Sequence, residues 1–296
     1  MRITRPHTSR GTSHAERLAS RDGWFAPESV IRRVGNTPLT PFLGGGTAVL
    51  LQVAHPLVAA GVADHSTYDK DVWRRLVRTL RALYLITYGS KAEAERAGDA
   101  VRAAHARVNG TTRTQLGRFP AGTAYSADDP ALMLWVHATL VQASLSAYQR
   151  FEHTLSPADQ ERYCAEMGLV ARLFGAPAEV IPPTLAELRE YFSTQIDGDT
   201  ITVTEPAREI ARVILRAPLP GPMRLITPAH RLATAAQLPA RLRQEYDLGV
   251  KPLHRPLLTA AGHSVRIGSW PILRIASRIS SSPIALGQPI ESGPTA

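Results

Sequence analysis

The chain holds one cysteine, Cys164, among 296 residues. No internal disulfide framework can form from it, and a reducing, cytoplasmic setting is the expectation that follows. No acidic residue precedes Glu16, and the same N-terminal stretch lacks the apolar core of a secretory signal. Aromatic residues supply only 6% of the chain. The most apolar stretch, 44–62, is interrupted by Gln52, His55 and Pro56, which suits a buried core helix better than a membrane span. Missing too are a His-Glu-x-x-His pair, zinc-spaced cysteines, a Gly-x-Ser-x-Gly elbow and a Cys-x-x-Cys-His haem-attachment motif. The Gly44-Gly45-Gly46 triplet has no following Gly-Lys-Ser/Thr, so it carries little phosphate-loop signal.

What is present favours helices. Hydrophobic residues make up 44%, and alanine, leucine and arginine dominate. These side chains lose little rotamer freedom in a helix. The 23 prolines crowd the region after Pro177, so the second half should be more broken than the first. The expected fold is all-α: one large helical domain over 23–250 around a buried haem pocket. A flexible arm (1–22) precedes it, and a Pro/Ser-rich tail (251–296), disordered or loosely docked, follows. The formal charge of +9 and pI near 10.2 come partly from Arg2, Arg5 and Arg10 and from the tail. They suggest a solubilising basic surface. The tail segment WPILRIASRI (270–279) is basic and amphipathic, suited to peripheral membrane contact. No nucleic-acid motif accompanies the charge, and no specific nucleic-acid partner is expected.

Along the chain, 24–34 reads as a short first helix, and the prolines at 38 and 41 mark a loop. The glycine triplet opens the apolar segment TAVLLQVAHPLVAAGVADHS. A helix spans about 71–88, ended by Gly89 as a left-handed cap. Ser90 caps the next, which ends at Asn109-Gly110. The stretch 111–127 is loop-like, with a short hairpin around Gly122. Asp128-Asp129-Pro130 starts a long apolar helix to about Leu155, the central one. Further helices are read at 157–174, 182–193, 205–215 and 230–245, with a short extended piece near 197–203.

Histidines are the first candidates for chemistry, because an apolar helical protein offers few other groups that bind a metal or move a proton near neutral pH. His105 sits at the edge of the stripe formed by Val101, Ala104 and Val108. Read on its own, it is a half-buried, hydrogen-bonded histidine as readily as a ligand. On the preceding helix Arg75 and Thr79 lie one turn apart, with Arg78 beside them. Leu76, Leu80 and Leu83 mark that helix's core side, with Thr79 at its border. A solvated basic face accounts for this run. So does an anionic or oxygen-bearing ligand, which a guanidinium and a hydroxyl recognise together. His137, among Leu134, Trp135 and Leu140, should be buried. His55 precedes the helix-kinking Pro56. His65 with Asp64 fits a turn cap or a contact to a carboxylate-bearing ligand edge. Cys164 reads as a buried, inert thiol.

The blocks QVAHPLVAAGVADHS, RRLVRT, YG, AVRAAHARVNG and YSADDPALMLWVHATL occur here in order. In this the sequence resembles the oxygenase family that includes bacterial latex-clearing proteins (rubber oxygenases) and the membrane-bound oxygenase of mycophenolic acid biosynthesis. The resemblance runs from about Gly44 to Tyr163 and more weakly through LPARLR. It implies an all-helical fold around non-covalent haem b, with an Arg-x-x-x-Thr pair and an iron-ligating histidine. Those match Arg75, Thr79 and His105, with His137 as the alternative iron ligand. Arg78 stands where a lysine can stand in the rubber-cleaving type. Rubber-cleaving relatives also carry a catalytic glutamate ahead of the arginine. No glutamate lies between Glu28 and Glu93 here, only Asp64, Asp69 and Asp71, so the resemblance does not extend to polyisoprene cleavage.

The resulting expectation is a haem b-dependent oxidoreductase, an oxygenase taking O2 and an apolar small molecule. His105 would be the iron ligand, Arg75 and Thr79 would contact haem or bound oxygen, and Arg78 would help to hold the cofactor. The alternatives are a non-catalytic haem-binding or sensing protein and a haem-free helical protein that engages membrane or nucleic acid.

Overall fold

The computed structural model describes residues 22–37, 39–65, 72–216 and 227–249. Most of the arm expected at 1–22, and the whole tail with its 270–279 patch, lie outside the described residues. The side chains of residues 39 and 72–77, Arg75 included, are likewise outside them.

Eleven α-helices and one two-stranded ribbon are found among the described residues. In chain order they are α1 (Val30–Gly35), α2 (Leu39–Val53), α3 (Pro56–His65), α4 (Val72–Tyr88), α5 (Lys91–His105), β1 (Asn109–Thr111), β2 (Ala124–Ser126), α6 (Pro130–Phe151), α7 (Pro157–Leu173), α8 (Leu185–Asp197), α9 (Glu205–Arg216), α10 (Thr227–Gln237) and α11 (Ala240–Glu245), with a 3₁₀ turn at Ala178–Val180. The all-α, single-domain expectation holds. Several helix starts are set by capping chemistry. Ser90 and Glu93 form a reciprocal capping box at α5, and Asp129 accepts the Ala131 N–H at 2.8 Å with Pro130 opening α6. Ser156 and Thr184 cap α7 and α8 in the same way.

The long apolar helix α6 is the axis. α2 packs along it more extensively than any other helix pair in the fold, and Gly44 permits the approach. A Cβ there would lie 3.2 Å from the Ala143 carbonyl oxygen and from the Ala147 Cβ. Gly46 meets Thr234 of α10 in the same manner. Gly44 and Gly46 therefore serve as packing positions inside α2, and Pro41, read as part of a loop, lies in the first turn of that helix, where proline is tolerated.

α2 ends at Val53, and α3 leaves at 105° to it. Pro56 at the first position of α3 explains the corner, since its ring cannot continue α2. Carbonyls at the end of α2 take donors from far along the chain, Leu50 O and Gln52 O in addition to the local amides of Ala54 and His55. Tyr246 Oη donates to Leu50 O at 2.7 Å, and Trp135 Nε1 donates to Gln52 O at 3.2 Å. The Thr202 amide donates to Ala54 O at 3.0 Å. No single described helix is long and apolar enough to cross a membrane, although the bent α2–α3 pair is by length and composition.

Four details differ from the sequence expectations. Gly89 does not adopt a positive φ. Glycine is needed because a Cβ would come within 2.4 Å of the Leu85 carbonyl oxygen. The helix expected over 230–245 is two, because Pro239 breaks it. Residues 198–204 form no strand but an irregular connection. The hairpin spans a wider interval than expected, pairing Asn109–Thr111 with Ala124–Ser126.

Candidate functional site

α4 and α5 are antiparallel neighbours joined only by Gly89 and Ser90. His105 lies as many residues beyond Ser90 as Arg75 lies before it. With equal rise per residue in the two helices, Arg75 and His105 sit at the same level of the hairpin, and Thr79 sits level with Val101. The segment carrying the Arg-x-x-x-Thr pair and the helix end carrying His105 are thus placed side by side.

α5 is held firmly where it matters for His105. Gly98 lies against the Leu173 carbonyl, where a Cβ would come within 2.5 Å. Arg102, one turn before His105, donates to that same carbonyl at the C-terminus of α7 and pairs with Asp99 on its own helix. A cation at a helix C-terminus is favoured both by the orphan carbonyls and by the helix dipole. Beyond the helix end, Val108 N donates to His105 O at 2.7 Å, and Ala127 N donates to Val108 O at 2.8 Å. These bonds tie His105 to the start of α6.

The His105 ring makes no hydrogen bond to the protein. It is half-buried, and its Nδ1 is sealed from water without a partner. Burial lowers its pKa and the nearby Asp128 carboxylate opposes that shift. His137, on α6, is only 4% exposed, and its Nε2 is sealed and unpartnered. Burial alone pushes its pKa down to about 4, so its ring is neutral at ordinary pH. Around it, Leu134 and Leu140 are half-buried while Trp135 is fully buried.

Three other described histidines, His55, His65 and His230, are occupied. His55 sits at the α2–α3 corner, where its Nδ1 accepts the Leu57 N–H at 3.2 Å and so caps α3. Phe119 packs over it with ring centroids 5.5 Å apart. Burial depresses its pKa to about 4 against the opposing pull of Asp129. His65 is exposed and hydrogen-bonded to Asn109 O at 2.9 Å. Its neighbour Asp64 accepts from Tyr125 Oη at 2.7 Å and pairs with Arg113 at 3.0 Å. His230 bonds Phe42 O at 2.9 Å. Cys164 is buried, its thiol pushed up to about 11 by burial first and by Glu161 second, as an inert core thiol would be.

Arg78 and Thr79 are exposed, and Leu80 and Leu83 are half-buried. Thr79 thus stands farther from the core than its spacing suggested; among the described side chains of α4 the buried ones are Ile86 and Thr87, near its C-terminal end. One buried cluster joins Ile86 of α4, Ala94 and Ala97 of α5, and Ala138 and Val141 of α6. The three helices that carry Arg75, Thr79, His105 and His137 therefore meet at one packed cluster. Among the described residues no three His, Cys, Asp or Glu side chains gather as a set for a bare metal ion. A prosthetic group that needs a single imidazole is compatible with this donor set, and the unpartnered ring of His105 fits it. The sequence reading missed the Arg102 anchor and the Tyr125–Asp64 bond. The first had only a generic arginine as signal, and the second links residues far apart in the chain.

A family model described as ER-bound oxygenase mpaB/B'/Rubber oxygenase, catalytic domain, matches residues 32–267. No curated protein and no solved structure matches the chain.

Proposed function

Since the chain belongs to the family of the ER-bound oxygenase mpaB/B' and rubber oxygenase catalytic domain, and is on that ground an oxygenase-type enzyme, we propose that it holds non-covalent haem b and uses O2 to oxidise an apolar small molecule. The observation that carries this reading is the His105 ring. Burial favours its neutral form, it has no hydrogen-bond partner in the fold, and it sits level with Arg75 on the adjoining helix. A neutral imidazole is the form that ligates iron.

Bound haem supplies the redox centre at which O2 is activated. The chain's own residues do the rest. His105 ligates, and the docking of α5 through Gly98 and Arg102 holds that ligand in place. Arg75 and Arg78 would bring permanent charges suited to the carboxylates of the haem, and Arg75 with Thr79 would bring hydrogen-bond donors suited to O2. Leu80, Leu83, Leu134 and Leu140 offer apolar surface on α4 and α6, which favours a substrate with little polarity.

The test is the absorption spectrum of the full chain expressed with haem precursor, beside His105→Ala and His137→Ala. The expected result is a Soret band and a pyridine haemochrome of the non-covalent type. His105→Ala should deplete haem or change its spin state while circular dichroism stays unchanged, and added imidazole should restore part of the spectrum. A colourless protein unable to take up haemin would overturn the cofactor. An unaltered spectrum in His105→Ala, with haem loss in folded His137→Ala, would move the ligand to His137.

A further inference from the structure

We propose that His137 is a second working side chain among these helices, a hydrogen-bond donor to a small ligand bound at the group that His105 would hold. The proposal rests on the His105 reading above.

His137 is buried, and its Nε2 meets neither water nor any protein acceptor. Every neutral imidazole carries one N–H donor and one acceptor nitrogen, and leaving such a group buried and unpaired costs about 1–3 kcal/mol. The fold avoids that cost at two other histidines. His55 uses Nδ1 to cap α3 and His230 bonds the Phe42 carbonyl. The fully buried hydroxyl of Thr139, two residues along α6, donates to Val136 O at 2.8 Å. His137, the one histidine of α6, makes no such bond, so an apolar side chain would serve the fold at least as well.

Its position points to where the missing partner comes from. Residues 134, 137, 138 and 141 lie along adjoining rows of α6. Ala138 and Val141 pack with Ile86 of α4 and with Ala94 and Ala97 of α5, the two helices that carry Thr79 and His105. His105 is tied by backbone bonds to the chain just before α6 begins, whereas His137 lies about two turns into that helix. The two imidazoles thus belong to different levels of the helices that meet at this cluster, so they would not compete for one position on a bound group.

The experiment uses ferric, haem-loaded full-length protein titrated with fluoride, an anion whose complex is stabilised by a nearby N–H donor. His137→Leu should keep its haem and Soret band but bind fluoride about tenfold more weakly, the effect of one lost hydrogen bond. His137→Gln, which retains an N–H, should stay within about threefold of the unaltered protein. If the leucine chain does not fold, the unbranched His137→Met takes its place. Fluoride affinity unchanged in the apolar variant overturns the proposal. Haem loss from folded His137→Leu together with haem retention in His105→Ala overturns it differently, by making His137 the ligand and withdrawing the His105 reading.

Discussion

Tyr125 donates its phenolic O–H to the Asp64 carboxylate at 2.7 Å, and together with the His65–Asn109 bond this ties the two-stranded ribbon to the last turn of α3. Burial and the same carboxylate raise the Tyr125 pKa to about 12, so the phenol stays a donor at any ordinary pH. Tyr125→Phe keeps the ring in its cluster with Leu57, Ala60 and Leu132 and removes only the bond. The expected loss is about 1.5–3 kcal/mol, the range for a hydrogen bond to a charged group. Urea unfolding would measure it. A change below about 0.5 kcal/mol would show that packing and the His65–Asn109 bond hold the ribbon without it.

The protein should lose stability as pH falls through the weakly acidic range. His55 and His137 both titrate near 4 when folded, below the unfolded value of about 6.5. Between these values the unfolded chain binds more protons, so the free energy of unfolding drops as pH falls from about 6.5 towards 4 and levels off below that range. The slope from each group is at most about 1.4 kcal/mol per pH unit. His137→Leu should flatten the profile, seen as a smaller shift in urea midpoint between pH 7 and pH 5. An identical shift in that variant would mean that His137 is charged in the fold.

The family match ends at residue 267, beyond Val250, where the sequence turns rich in proline and serine. A chain cut after Ile267 should fold and bind haem like the full protein. Cutting after Val250 tests the stronger expectation that the whole tail is dispensable. Haem retention in both chains, read from the Soret-to-protein ratio, would bear it out. Loss on the shorter cut alone would assign 251–267 to the domain.

Much of this architecture was legible because local chemistry and global packing agree. Ser90, Asp129, Ser156 and Thr184 announce helix starts and do cap them. Where the expectation failed, a distant partner decided. Pro41 looks like part of a loop until the helix whose first turn it occupies is packed along α6, with Gly44 against Ala143 and Ala147, and Gly89 is required by a neighbouring carbonyl rather than by a left-handed backbone. The site was legible in part. The placement of Arg75 beside His105 follows from a short turn between two helices, which sequence can show. That His55 and His230 are satisfied while His105 and His137 each keep an unpaired nitrogen is a property of their surroundings. Burial among Leu134, Trp135 and Leu140 is written in the sequence; the missing partner is not.

The bond from Tyr246 to the Leu50 carbonyl joins residues 196 positions apart. During synthesis that carbonyl first accepts the Ala54 N–H beside it and gains the Tyr246 donor only when nearly the whole domain has emerged from the ribosome. Until then the corner at His55 stands beside apolar surface that Leu238, Leu242 and Tyr246 later cover. Long-range closure of this kind delays native packing. It makes the nascent first half dependent on protection from aggregation until its last helices arrive.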